Sequence, residues 1–452
     1  MMTDACWRVL LLGLILVWWT WAWCRRWRRQ SRTASAQLTR LLKPRTPDAC
    51  PLCRQQAATA PALLSPHPPV PPWSTIKSRR GAPKRIDTQG FACPNRSCPY
   101  YHITDAQIHA LVADGAHGRC ERIQTFRCQA CGVTFSGRRN TPLYRLKTAS
   151  HRIVEVLSAL AEGLSIAAAV RVFGHRHATI TTWLTRAGEH SATLHDRYLR
   201  NLVLPHLQLD ELRTRLRNRA HTLWLWVARD PISKLMVGLH LGSRTQDAAH
   251  RLIHDLHQKL APGCIPVFTS DGLNQYCYAL TAHFGQWVMG GGRRLRRWQA
   301  AAGLIYGQVT KRYRRRRLVG VTYVMRCSPR AALRAALIGL GLSGKLNTAF
   351  VERLNLTVRQ SVAALIRRTW STMQEAPQLL LHLEWWRAYY HFVRPHESLR
   401  EVLAQPRFRG GKRIPQRYRQ RTPAMAAGLT RRRWTVRELL ARPLPPAPVG
   451  AG

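Results

Sequence analysis

The spacing of apolar positions changes along the chain, and the changes mark its parts. Ile153, Val156, Leu157 and Leu160 recur at helical spacing and stop near Gly163. Ser165 is placed to cap a second helix over 166–173, and Gly174 separates it from a third running to about Arg186. From Leu204 the period shortens. His206 to Leu212 alternates as a strand, Leu223 to Ala228 sets Trp224 and Trp226 on one face, and Leu235 to Leu241 supplies a third strand. Helical spacing returns over Thr245 to Leu260 through Ala248, Leu252, Ile253 and Leu256. Ile265 to Thr269 reads as a short buried strand ending at Ser270-Asp271-Gly272. Three strands, a helix and a fourth strand predict an α/β domain with a mixed sheet. Helices over 348–366 and 375–393 follow.

The first ninety residues have a different texture. Val9 to Cys24 is an uncharged sixteen-residue run rich in Leu and Trp, followed by Arg25-Arg26-Trp27-Arg28-Arg29. A spanning helix wants about 20 apolar residues, so the run is short. Two readings stand: a membrane anchor through residues 7–24 with the rest cytoplasmic, since the arginines follow it, or a buried leader. Residues 31–89 are basic and Pro-rich, densest from Pro61 to Pro72, and read as a linker.

Composition names the class of partner. The 452 residues carry 71 Lys+Arg against 22 Asp+Glu, a net +49, yet 45% are hydrophobic. So large a core excludes a chain disordered by charge, and so large an imbalance argues for a polyanionic partner, nucleic acid first. The excess makes each acid conspicuous. From Gly272 to Val351 there is no carboxylate among fourteen Lys or Arg. Asp271, the one acid between Leu256 and Val351, is a candidate for holding a divalent cation; the plainer reading is a turn cap before Gly272. On the helix over 348–366, Val351, Leu354, Val358, Val362 and Leu365 form the buried stripe. Glu352, Asn355 and Arg359 then share the adjacent face, suited to a metal and a phosphate together or to solvent alone.

The cysteines fall in pairs: Cys50-x2-Cys53, Cys93-x4-Cys98 and Cys128-x2-Cys131. Two such knuckles about thirty residues apart supply four thiolates for Zn²⁺. Cys93, Cys98, Cys128 and Cys131, each pair beside aromatic residues and Gly132 easing the second turn, predict a zinc ribbon over 90–140. Cys50, Cys53 and Cys120 stay unassigned. Helices over 148–190 suit a helix-turn-helix, with His177, Thr179, Thr181, Thr182 and Arg186 facing a DNA major groove; a plain three-helix subdomain is the alternative.

At this point the sequence resembles a family. The segments LQLDEL, TSDGLNQY, AFVERLNLTVRQ and YYHFVRPHESLR are similar to those of DDE transposases of bacterial insertion sequences, nearest the insertion-sequence-one group. The resemblance spans roughly Phe91 to Arg400. It implies a ribonuclease-H-like catalytic domain (204–400) after the ribbon and helix-turn-helix. It also implies Asp210, Asp271 and Glu352 as catalytic ligands of Mg²⁺ (or Mn²⁺). Glu211 is the rival for the first position, and its place in a strand predicts the opposite face. The 81-residue interval from Asp271 to Glu352 is longer than in compact versions of this motif. It holds an Arg-rich insertion at 290–320, where Arg315 and Arg316, with Asn355 and Arg359, are expected to contact DNA. The implied activity is cleavage at element ends and strand transfer into target DNA by a homo-oligomer in the cytoplasm, at the nucleoid. A zinc-ribbon and helix-turn-helix regulator without catalysis is the competing class. The tail, 401–452, is expected to be partly extended and DNA-contacting.

Overall fold

A computed structural model describes residues 70–76, 86–217, 222–289, 296–315, 317–367, 369–371, 373, 375–408 and 415–445. The hydrophobic run at 9–24, Cys50, Cys53 and Arg316 lie outside the described residues. Among those described, no helix is long and apolar enough to cross a membrane.

Alternating sequence builds the centre. Strands β4 (His206–Arg215), β5 (Thr222–Arg229) and β6 (Met236–Gly242) form an antiparallel meander, close to the ranges read from periodicity. Beyond helix α4 (Gln246–Lys259), β7 (Val267–Asp271) returns parallel to β4. Helix α5 (Asn274–His283) and the hairpin β8 (Gly285–Met289)–β9 (Arg296–Ala300) come next. Then β10 (Tyr306–Arg314) joins β7 in parallel and β11 (Arg317–Cys327) pairs antiparallel to β10. The mixed sheet therefore runs β11-β10-β7-β4-β5-β6. The chain is α/β, and residues 311–314 and Arg317 of the Arg-rich stretch lie in the sheet, as the ends of β10 and β11.

Period-two alternation sends β4 and its neighbours' side chains to two cores. Leu207, Leu209, Trp226 and Val237 pack with Leu252 and Leu256 of α4 and Tyr276 and Leu280 of α5. On the other face Leu212, Leu225, Val227 and Met236 meet Val351, Leu354 and Val358 of α7 (Ala349–Ser361) and Leu383 and Trp386 of α8 (Ala376–Ala388). Between these helices in sequence and β11 lies α6 (Arg330–Gly339), seated on Val267 and Val309. Removing any one large side chain from such a core costs about 2–5 kcal/mol.

Upstream, β1 (Leu111–His117), β2 (Ile123–Cys128) and β3 (Thr134–Ser136) make a small antiparallel sheet. The end of the expected linker packs on it: Trp73 stands edge-on to Tyr100, centroids 5.6 Å apart, and its indole donates to Gln129. Three helices follow, α1 (Ser150–Ala161), α2 (Ile166–Phe173) and α3 (His177–Tyr198). Ser165 caps α2 through the Ala168 amide, and Gly174 ends it at φ +71°, the left-handed turn a glycine reaches without strain. The third helix is 22 residues long, well past the end expected at Arg186. Its added turns bury Ser191, Leu194 and His195, a stripe hidden in the sequence by the polar residues around it. α3 crosses α8 closely: a Cβ on Gly188 would lie 2.4 Å from the Leu381 carbonyl oxygen.

The tail also departs from expectation. Its last helix, α9 (Val436–Ala441), has the Thr435/Glu438 capping box and buries Leu439 and Leu440 beside Trp434. Trp434 stacks on Phe392 with centroids 4.5 Å apart. Arginine density concealed a short apolar stripe there, and residues 423–445 belong to the core around α1–α3 rather than to an extended arm.

Six histidines, four of them buried and His283 and His396 half-buried, are held to about 4, with loss of solvent the first cause: His190, His195, His206, His283, His382 and His396. An unfolded chain takes up their protons near pH 6.5, before the folded one does, so the stability they contribute is present above that pH and lost as pH falls towards 4. At pH 5 such a shift corresponds to about 2 kcal/mol for one fully buried histidine. Urea unfolding should show a midpoint that drops steeply between pH 7 and pH 5; a flat midpoint over that interval would contradict this burial.

Candidate functional site

Parallel pairing of β4 and β7 sets Leu209 opposite Ser270, so the next residues, Asp210 and Asp271, stand side by side where β7 stops. This is the carboxyl end of a parallel pair, where open α/β sheets collect ligands. Asp210, Glu211 and Asp271 each bring a carboxylate oxygen to within 4.8 Å of the others, a group able to hold a metal ion. Glu211 does leave β4 on the α5 face, where Tyr276 donates to it at 3.2 Å and Arg244 at 2.9 Å. That face does not separate Glu211 from the other two acids: β7 ends at Asp271, and the longer Glu211 side chain reaches the cluster across that end.

Three carboxylates this close raise each other's proton affinity. Burial first, then Asp271 and Glu211, push Asp210 up to about 7. Burial also raises Glu211 and Asp271. Asp210 accepts from the Asn355 amide at 2.7 Å and from the Glu211 backbone at 2.9 Å; Asp271 accepts from the Leu273 backbone at 3.1 Å. The Asn355 side-chain oxygen, Oδ1, is buried beside them without a hydrogen-bond partner. An all-oxygen set with excess negative charge fits a hard divalent cation such as Mg²⁺ or Mn²⁺.

Glu352 reaches this end of the sheet from α7. Gln208 clamps the start of that helix, accepting from the Val351 amide at 3.0 Å and donating to the Asn347 carbonyl at 2.9 Å. Arg229 from β5 donates to the Phe350 carbonyl. The Glu352 carboxylate itself is outside the three-acid group. Lys311 of β10 holds it at 2.6 Å and Thr348 donates to it at 2.7 Å. Burial pushes Glu352 up, but those two donors outweigh it and leave it below the ordinary carboxylate range. It still adds to the repulsion felt by Asp210 and Asp271.

The other expected contacts divide. Asn355 is spent on Asp210. Arg359 donates to the Arg213 and Leu365 carbonyls at 3.1 and 3.2 Å, bracing α7 against β4. Arg186 donates to the Tyr144 carbonyl at 2.9 Å. Thr181 and Thr182 donate to their own helix, at His177 and Ala178, which leaves hydroxyl lone pairs outward; His177 is exposed and Thr179 half-buried. The start of α3 lines a cleft of about 810 Å³ that Arg171, Arg217 and Trp370 also border. Arg315 stands exposed at the tip of the β10–β11 hairpin with φ +46°. Sequence reasoning gave no individual role to Lys311, Tyr276 or Arg244: the first two lie inside the Arg-rich insertion and the TSDGLNQY segment without being singled out, and Arg244 carries no motif.

The four cysteines converge as expected. Cys93 and Cys131 sulfurs lie 3.6 Å apart and Cys98 and Cys128 sulfurs 3.8 Å apart, against about 3.8 Å for the edge of a tetrahedron with Zn–S bonds of 2.3 Å. Gly132 takes φ +75° and returns its amide to the Cys128 carbonyl at 2.8 Å. The Cys93 thiol, ahead of the Cys131 and Ala130 amides, draws Cys128 down to about 5 despite its burial. Four soft donors in this array can hold a metal ion, and zinc is the ion their chemistry suits. The four-residue gap in the first knuckle is accommodated by a turn in which the Cys98 amide donates to the Asn95 carbonyl.

The sequence matches no protein-family model and no curated relative. Purified Cys98→Ser protein should carry one zinc fewer per chain than the unaltered protein by atomic emission; equal zinc in both would remove the Cys93–Cys98–Cys128–Cys131 site.

Proposed function

We propose that the chain is a DDE-type DNA transposase, cutting phosphodiester bonds at element ends with Mg²⁺ or Mn²⁺ and joining the freed ends to target DNA. The observation that carries this is the convergence of Asp210 and Asp271 from adjacent parallel strands, with Glu352 on a helix clamped beside them. The sheet order, an antiparallel meander extended by parallel strands, is compatible with a ribonuclease-H-like domain. The small β1–β3 sheet with its four cysteines reads as a zinc ribbon, and α2–turn–α3 as a helix-turn-helix presenting His177, Thr179, Thr181 and Thr182 to a groove. DNA and further copies of the chain are the partners this reading requires.

Asp210 and Asp271 would hold the divalent ions, Glu211 beside them and Glu352 once turned from Lys311. When bound, such ions supply a polarised attacking oxygen and neutralise the leaving one. The chain's own groups set the geometry. Asn355 fixes the rotamer of Asp210 through one charge-assisted hydrogen bond. Arg244 and Tyr276 keep Glu211 turned inward. Lys311, two residues beyond the Val309 that pairs with Asp271, places an ammonium against Glu352, where a scissile phosphate would compete with Glu352 for it. Arg315 occupies a left-handed turn position that costs a side-chain-bearing residue about 1 kcal/mol relative to glycine, a cost that a phosphate contact would explain. These arginines hold phosphates without reading sequence, so affinity should fall steeply with salt.

One observation favours the second reading, a DNA-binding regulator without catalysis: the third acid is engaged by Lys311 and Thr348 rather than joined to the cluster. A single assay separates the two. With element-end DNA and Mg²⁺, the protein should yield nicked and joined products, and Asp271→Asn should lower cleavage at least about 100-fold while binding the same DNA. Full cleavage by Asp271→Asn would overturn the metal mechanism; binding without cleavage by the unaltered protein would establish the regulator instead.

A further inference from the structure

Next to Asp271, strands β7 and β10 share a chain of buried polar side chains that the site above does not use. Ser270, Tyr306 and Gln308 are fully buried, and the parallel pairing of the two strands sets Gln308 opposite Ser270. Polar groups so placed are costly unless they are hydrogen-bonded, and here each is. Arg326 of β11 donates from Nε to Gln308 Oε1 at 2.6 Å. Gln308 Nε2 donates to the Leu273 carbonyl at 2.8 Å and to the Tyr306 hydroxyl at 2.7 Å. The Tyr306 and Ser270 hydroxyls lie 2.8 Å apart, and Ser270 donates to the Asp271 carbonyl at 2.7 Å.

The donor and acceptor roles are fixed from both ends. A guanidinium only donates and a carbonyl oxygen only accepts, so Gln308 turns its oxygen to Arg326 and its amide nitrogen to Leu273. Ser270 spends its proton on the Asp271 carbonyl, so Tyr306 donates to Ser270 and accepts from Gln308. Burial raises Tyr306 above its ordinary value, which keeps that proton in place. The network thus runs in one direction, from a charged donor on β11 to the backbone carbonyls on either side of Gly272. Leu273 is tied at both of its polar groups, because its amide orients the Asp271 carboxylate at 3.1 Å. Arg326 also donates to the Asn274 side chain at 2.7 Å, at the start of α5. Strand β10 closes on the turn as well: a Cβ on Gly272 would lie 2.9 Å from Thr310 Oγ1.

We propose that Gln308 is a positioning residue for the Asp271 carboxylate. Held by Arg326, it fixes Leu273 directly and the Asp271 carbonyl through Tyr306 and Ser270, so the second acid faces Asp210 before an ion arrives. This rests on the reading of Asp210 and Asp271 as ligands of a divalent ion. Groups behind a ligand set its orientation and so tune affinity for the ion. Without the Gln308 amide, binding an ion must also order the turn at 271–274. Affinity then falls, while the groups that act once the ion is bound stay the same.

The test titrates Mn²⁺ into the full chain with its cysteine site zinc-loaded, reading free Mn²⁺ by electron paramagnetic resonance. The unaltered protein should bind the ion and Asp271→Asn should lose it. Gln308→Met, close in volume but unable to donate or accept in this way, should weaken binding at least about tenfold. Tyr306→Phe cuts only the branch through Ser270 and should weaken it less. In cleavage of element-end DNA, Gln308→Met should raise the Mn²⁺ concentration needed for half the maximal rate and recover that rate at saturating Mn²⁺. A merely structural role would lower the melting temperature and leave the metal requirement unchanged. The proposal is overturned if folded Gln308→Met binds Mn²⁺ as tightly as the unaltered protein or, where that variant does not fold, if Tyr306→Phe does. Failure of the unaltered protein to bind, or full binding by Asp271→Asn, overturns the metal reading and the positioning role with it.

Discussion

The repulsion among Asp210, Glu211 and Asp271 is the constraint that organises this molecule. Three carboxylates within 4.8 Å of one another are unfavourable in a partly buried setting, and an isolated strand pair would not hold them there. The parallel pairing of β4 and β7 fixes two of them by backbone hydrogen bonds that neither side chain can escape. The two cores beneath, one on each face of the sheet, supply the stability against which the cost is set. Every neighbouring device can be seen as managing this charge. Asn355 donates to Asp210, Arg244 and Tyr276 to Glu211, and Gln208 and Arg229 anchor the helix that brings Glu352 near. A hard cation would relieve the repulsion that remains.

Charge on the rest of the chain is arranged around that concentration. Lys311 sits on β10, one strand beyond Asp271, and meets Glu352. The hairpin beyond it ends in Arg314, Arg315 and Arg317, with no acid between Gly272 and Val351. The excess of +49 is therefore graded, with the negative cluster at the strand ends and a basic ribbon extending the same sheet. A polyanion laid along the ribbon would be led to the acids, and where its phosphate met Lys311 it would release Glu352. On the proposed function, the contact between Lys311 and Glu352 would link holding a strand to completing the metal site.

Much of this was legible in the sequence because the signals were local. Alternation placed β5 and β6 to within one residue and β4 to within three at its end, Ser165 and Gly174 marked the bounds of α2, and the spacing of Cys128 and Cys131 with Gly132 announced a knuckle. Scarcity of acids pointed to Asp271. What was missed was set by tertiary contact. Glu211 joins the cluster only because β7 ends where it does, which its own alternation cannot reveal. Arg359 has the spacing of a ligand-facing residue, yet two backbone carbonyls claim it. The buried half of α3 and the helix after Trp434 lie in polar or arginine-rich sequence, where the apolar stripe shows only against its partners.

If Asp210 and Asp271 hold divalent metal together, anomalous diffraction from crystals grown with Mn²⁺ should show a manganese peak between the two carboxylates, with Glu211 or Glu352 as a further ligand. Manganese peaks elsewhere on the chain and none at this end of β4 and β7 would contradict it.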